Sequence, residues 1–105
     1  MITADILHVV AKYYDLTLAQ LRGPSRHHAI ARPRMVAQYL CRALTDASFP
    51  DIGRALGGRH HTTVIYNARA LAGLVLHDPR LAQQVAELTA LLTNKPTEKF
   101  DGKTE

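Results

Sequence analysis

Two stretches of this 105-residue chain hold side chains suited to recognition chemistry. The first is Arg59-His60-His61-Thr62-Thr63, directly after Gly57-Gly58. A threonine offers a hydroxyl and a methyl, and a histidine offers ring N–H donors; both can meet base edges in a DNA major groove. The free backbone N–H groups at a helix start favour phosphate. The second stretch is Arg26-His27-His28, inside the Gly-Pro-punctuated segment GPSRHHAIA. Between residues 22 and 69 eight arginines (22, 26, 32, 34, 42, 54, 59, 69) stand against Asp46 and Asp51, a net +6, with four histidines and no lysine. Arginine suits bidentate contacts to phosphate and guanine. The segment therefore implies an anionic partner, of which nucleic acid is the commonest. The competing explanation is a solvated basic face with no partner.

Other chemistries find less support. Neighbouring histidines project in different directions on a helix, and no Cys or carboxylate completes a tetrahedral set beside either pair, so no metal or other cofactor is expected. The lone Cys41 has no partner for an internal disulfide, which fits a reducing, cytoplasmic setting. With no base beside it, it reads as a packing or surface residue. No nucleophile–base pair or paired carboxylates stand out, so no enzyme is expected. No apolar run reaches membrane-span length, and the start MITADILHVV lacks the features of a signal peptide. Tyr13 and Tyr14 read as core, Tyr39 and Tyr66 as possible edges of the basic face. Thr62 and Thr63 have a purely structural alternative, as helix caps.

The elements that must position these groups are all helical. Thr3 is expected to cap a first helix with Asp5 in its first turn and Ile6, Val9, Val10 and Tyr13 on one face. Thr17 and Gln20 form a capping box for a short helix stopped by Gly23. Residues 23–31 read as a loop pinned by Ile30. Pro33 suits the first turn of a third helix, with Val36, Leu40, Ala43 and Leu44 inward and Arg34 and Arg42 facing solvent or phosphate. Ser48, Pro50 and Asp51 start a brief fourth helix with Ile52, Ala55 and Leu56 inward. Gly57-Gly58 allow positive φ and a sharp reversal. The next helix, from His60 or His61, buries Val64, Ala68, Leu71 and Val75 and leaves His61, Thr62, Tyr66 and Arg69 outside. This is a helix-turn-helix. A last helix runs from 80 to about 92, carrying Leu81, Val85, Leu88 and Leu92. The expectation is one all-α domain of five to six helices over residues 1–93 and a disordered polar tail over 94–105.

The sequence resembles the C-terminal DNA-binding domain (domain IV) of the bacterial replication initiator DnaA, a Trp-repressor-like helix-turn-helix fold. The resemblance covers residues 2–74. Its core is Gly57-Gly58-Arg59-His60-His61-Thr62-Thr63-Val64, close to the family signature GGRDHTTV; Ala11-Lys12-Tyr13-Tyr14, Ala31-Arg32-Pro33-Arg34 and Pro50-Asp51-Ile52-Gly53 support it. The resemblance implies that Arg26 enters the minor groove and that His61 and Thr62 read bases in the major groove. Thr63 then contacts the backbone or a nearby base, Arg34, Arg42 and Thr45 contact the backbone, and Pro50 lies near a phosphate. His28, Arg32, Arg59, His60 and Arg69 complete the candidate contacts. The implied partner is double-stranded DNA carrying a DnaA-box-like element, in replication initiation or its regulation, with other initiation proteins as further partners and a nucleoid-associated, cytoplasmic location.

The departures bear on function. His60 replaces the signature Asp, exchanging an acceptor for a donor-bearing ring, so the preferred site is expected to differ. His28 stands where Arg is common, which weakens one phosphate contact at neutral pH. No G-x-x-x-x-G-K-[ST] loop occurs, so ATP binding of the full initiator's kind is not expected. The chain reads as an excised domain or a stand-alone relative, and Met1 before the first helix and the tail favour the latter. The alternative function is a protein-interaction module or phage or bacterial regulator of this fold that competes with the initiator, its DNA specificity altered or lost.

Overall fold

The computed structural model describes residues 1–93 as six helices: α1 (Thr3–Tyr13), α2 (Leu18–Arg22), α3 (His28–Leu44), α4 (Phe49–Ala55), α5 (His61–His77) and α6 (Pro79–Thr93). The all-α class and the helix count agree with expectation; the tail at 94–105 lies outside the described residues. Local signals set most boundaries. Both halves of the Thr17–Gln20 capping box form, at 2.9 and 3.0 Å. The Ser48–Asp51 box starts α4 in the same way, at 3.3 and 3.1 Å. Asp78 ends α5 and starts α6, its carboxylate accepting from the N–H groups of Arg80 and Leu81 at 3.1 Å each. Pro79 follows it as the first helical residue, where a missing N–H costs nothing.

Two helix starts differ from expectation. Thr3 does not cap α1. Ile2 holds the N-cap position with an extended backbone and no side-chain bond, so the Thr3 hydroxyl comes one residue too late. In addition, α3 begins well before Pro33. His27 caps it, its Nδ1 accepting from the Ala29 N–H at 3.3 Å, and Pro33 lies inside the helix. The proline deprives the Ala29 carbonyl of its helical donor, but Ala29 is exposed and water can serve instead. The basic loop is thus shorter than 23–31, and His28 and Ile30 belong to a helix.

The core joins Ile6, Leu7 and Val10 of α1, Leu21 of α2, Val36 and Leu40 of α3, Ile52 and Leu56 at α4, Val64 and Leu71 of α5, and Leu88 of α6, all essentially inaccessible. Burying each such side chain contributes about 1.5–3 kcal/mol. Along α3 the buried stripe includes Ala37 and Cys41, while Ala43, expected inside, is exposed. Helix α5 buries Val64 and Leu71 completely and Ala68, Leu74 and Val75 in part, and leaves its first turn exposed. Tyr13 and Tyr14 meet edge to face at 5.0 Å and bind α6, Tyr14 through Gln84 at 2.9 Å and Tyr13 through Glu87. That bond, aided by burial, pushes the Tyr13 phenol up to about 12.

Gln38 is fully buried on α3, and neither carboxamide atom has a hydrogen-bond partner among the described residues. Leaving such a group unpaired costs about 1–3 kcal/mol. Gln38→Met keeps the shape without the polar atoms and should raise the stability by about 1–2 kcal/mol, read as a higher urea midpoint at unchanged slope. Gly57 and Gly58 both adopt positive φ (80° and 82°), but a Cβ on Gly57 would lie 2.3 Å from the Arg22 carbonyl oxygen, whereas one on Gly58 meets nothing within 4 Å. Gly58→Ala should cost about 1–2 kcal/mol from the backbone alone. Gly57→Ala should cost distinctly more, and equal midpoints for the two variants would contradict this account.

Candidate nucleic-acid interface

The turn between α4 and α5 is built on close backbone approach. The Gly53 carbonyl accepts from the N–H groups of Gly58 at 3.0 Å and Arg59 at 2.8 Å. A Cβ at Gly53 would fall 2.0 Å from the Arg59 carbonyl oxygen, so only glycine lets the turn fold back on α4. Gly57 is pressed against Arg22 at the end of α2.

Two guanidinium groups then lash the α2–α3 loop to this turn. Arg59 donates to the carbonyls of Arg22 (3.0 Å), Gly23 and Leu56. Arg34, reaching from α3, donates to Leu21 (2.8 Å), Ser25 (2.8 Å) and Gln20 (3.4 Å). These acceptors include the last carbonyls of α2, which have no partner inside their own helix. The position of Arg34 corrects the expectation that it faces solvent or phosphate: it is 6% exposed, and its fork is spent on backbone. Arg59 is likewise half-buried. Burial lowers the proton affinity of both, and Arg34 is lowered further by the charge of Arg59. Arginine still remains charged, so the clamp carries two cations facing only neutral carbonyls.

Above the clamp opens a cleft of about 600 Å³, lined among others by Arg22, Arg26, Arg34, Arg59, Thr63 and Asn67, with no carboxylate on its walls among the described residues. One wall is the loop that carries Arg26, and the other is the first two turns of α5. Arg26 and Thr63 thus face one space. Arg22 and Asn67 were not singled out from the sequence, although Asn67 lies four residues after Thr63 and so on the same helix face.

The tip of α5 is exposed at His61, Thr62 and Thr63. His60 is its N-cap: Nδ1 accepts from the Thr62 N–H at 3.2 Å and lies 2.8 Å from Thr62 Oγ1. The cap is therefore a histidine, and neither Thr62 nor Thr63 serves as one. The rings of His60 and His61 lie side by side, 4.3 Å between centroids. Tyr66, one turn beyond Thr62, is 71% exposed.

The remaining candidates are more dispersed. His28 is exposed on the first turn of α3. Arg32 is half-buried beside Tyr14, where its charge partly offsets the burial that raises the phenol. Arg42 stacks on Phe49 at 4.5 Å and donates to the Ala47 carbonyl at 3.2 Å. Together with Arg69 it borders a shallow groove between α3, α4 and α5. The Thr45 hydroxyl is engaged internally, donating to the Cys41 carbonyl at 2.6 Å and accepting from Ala47 at 3.1 Å. Pro50 is exposed in the first turn of α4. Burial pushes the Cys41 thiol up to about 12, as fits a packing residue. Among the described residues no three metal-ligating side chains gather, and no helix is long and apolar enough to cross a membrane.

A backfolded glycine turn, followed by a helix whose polar tip is exposed, defines a helix-turn-helix domain. This chain belongs to the family described as Bacterial dnaA protein helix-turn-helix, whose profile matches residues 3–70. It is 47% identical over 95 residues to the chromosomal replication initiator protein DnaA of Neisseria meningitidis, covering 90% of this chain and 18% of that protein. It is 43% identical over 88 residues to DnaA of Ruegeria pomeroyi, 84% of this chain and 19% of the relative. With DnaA of Lacticaseibacillus casei it shares 43% over 91 residues, 87% of this chain and 20% of the relative. The chain thus spans about a fifth of the length of these relatives.

Arg59→Lys tests the clamp. One ammonium cannot span carbonyls from three residues in the planar fork geometry. At about 1 kcal/mol net per lost bond, the variant should unfold about 2 kcal/mol more easily, and an unchanged thermal midpoint would contradict a structural role for Arg59.

Proposed function

We propose that this chain binds double-stranded DNA carrying a DnaA-box-like element, in the initiation of chromosomal replication or its regulation. The observation that carries this reading is the shared cleft: the Arg26 loop and the tip of α5 are tied together by Arg59 and face one arginine-lined space. Adjacent grooves of a duplex are separated by one sugar–phosphate strand. With the tip of α5 in the major groove and Arg26 in the neighbouring minor groove, that strand crosses the cleft, where unopposed guanidinium charge meets its phosphates. His61, Thr62 and Thr63 are then the major-groove readers. Arg42, Arg69, His28 and Pro50 extend the phosphate contacts at the edges. The proposal extends to a nucleoid-associated, cytoplasmic location and to other initiation proteins as partners; the matched relatives are named chromosomal replication initiator proteins. The role is attachment to DNA; no catalytic step is assigned to the chain.

The test is binding to random and DnaA-box duplexes across a salt series. Each neutralised phosphate adds about −0.9 to the slope of log K against log[salt], so several contacts give a steep fall. Arg26 is exposed and outside the clamp. Arg26→Ala should therefore leave folding intact and weaken specific binding about 10- to 100-fold, the loss of one base contact. Weak, sequence-blind binding with a shallow slope, or an Arg26→Ala variant that binds as tightly as the unaltered chain, would overturn the proposal.

A further inference from the structure

The cap of α5 fixes more than where the helix starts. A backbone N–H can only donate, so the 3.2 Å bond from Thr62 N requires a lone pair on His60 Nδ1. A doubly protonated ring has no lone pair, and the neutral Nδ1–H tautomer has none on that atom. The bond therefore selects the neutral Nε2–H tautomer. Thr62 Oγ1, 2.8 Å from the same nitrogen, can then only donate to it. Its hydrogen turns inward, and its lone pairs remain for an outside partner. On the imidazole, Nε2 lies across the ring from Nδ1, so its N–H leads away from the helix end that Nδ1 caps, and His60 is exposed.

We infer that His60 is a specificity-determining residue, its capping bond making Nε2–H a base-edge donor while Thr62 is left as an acceptor. This rests on the DNA-binding reading above and names its polarity. In the major groove the complement of such a donor is an acceptor such as guanine O6 or N7 or thymine O4, and the complement of the Thr62 oxygen is the amino group of adenine or cytosine. A carboxylate at position 60 would also cap the helix but could only accept, so it would favour the cytosine amino group. The cap is common to both; the outward polarity is reversed.

Three versions of the chain test this: unaltered, His60→Asn and His60→Asp. Asparagine caps through its carbonyl and keeps an N–H₂ donor; aspartate caps and keeps none. Selection from random duplexes should give the unaltered chain and His60→Asn the same acceptor-bearing base at one position, with roughly tenfold discrimination. His60→Asp should move that position to cytosine. Independently of DNA, ¹⁵N spectra of the free, histidine-labelled protein should show the His60 ring as the Nε2–H tautomer, its signal assigned by its loss in His60→Asn. An Nδ1–H tautomer, or a His60→Asp variant that selects the same base as the unaltered chain, would overturn the inference while leaving DNA binding intact. Absence of duplex binding by the unaltered chain would sink both readings, and the steep salt series identifies that case.

Discussion

The guanidinium of Arg59 is the interaction on which the rest of this structure depends. It sits in the turn between α4 and α5 and bonds carbonyls at the end of α2, so two segments some 36 residues apart in sequence become one rigid body. Arg34 bonds the same stretch from the α3 side. Without these bonds the α2–α3 loop would be held by Leu21 and the short α2 alone, and the position of Arg26 relative to the helix tip would be undefined. A two-groove grip needs that distance fixed, because the grooves of a duplex have fixed widths. The glycines serve the same end. Gly57 lets the turn press on the Arg22 carbonyl, which brings Arg59 within reach of it.

The clamp has an electrostatic cost. Two cations, Arg34 buried and Arg59 half-buried, bond only neutral carbonyls, and burial lowers the proton affinity of both. A carboxylate placed among them would relieve this strain, but it would also repel a phosphate. Among the described residues the walls of the cleft hold none. The fold accepts the weaker compensation of carbonyl dipoles and leaves the remaining positive potential for a ligand. On the proposed reading, charge that is unfavourable in the free domain would become favourable beside a phosphodiester, so the arginines that hold the loop would also attract what the loop binds.

Where serine, threonine and glycine set caps and turns in the usual way, and where apolar residues repeat, the sequence was legible. The boxes at Thr17 and Ser48, the glycine reversal and the apolar stripes of α1 and α6 all follow from such short-range rules. The errors share a different cause. Pro33 looked like a helix start because proline favours that place, yet the imidazole of His27 caps the helix earlier, and histidine is not among the usual caps. Arg34 looked solvent-facing because arginine usually is; its burial depends on carbonyls thirteen residues away, which no local pattern encodes. Ala43 was expected inside and lies exposed because small residues carry little periodic signal. At the site, the polar tip of α5 was readable from residue type, whereas Arg26 was singled out by the resemblance alone. The cleft between them was not readable, since it is created by the Arg59 bond.

The histidine caps connect these points. Both helices that present the basic face, α3 and α5, begin on an imidazole Nδ1, at His27 and His60. An aspartate cap would gain the attraction between a carboxylate and the helix dipole. It would also set a negative charge on the face proposed to meet DNA, and opposing like charges at close range are unfavourable. A neutral imidazole supplies the acceptor without the charge. It also keeps a second nitrogen for the outside, which a serine or threonine cap cannot do. Capping in this chain is thus compatible with a face free of negative charge at both helix starts, and the acceptor that α5 requires is what leaves a donor at its tip.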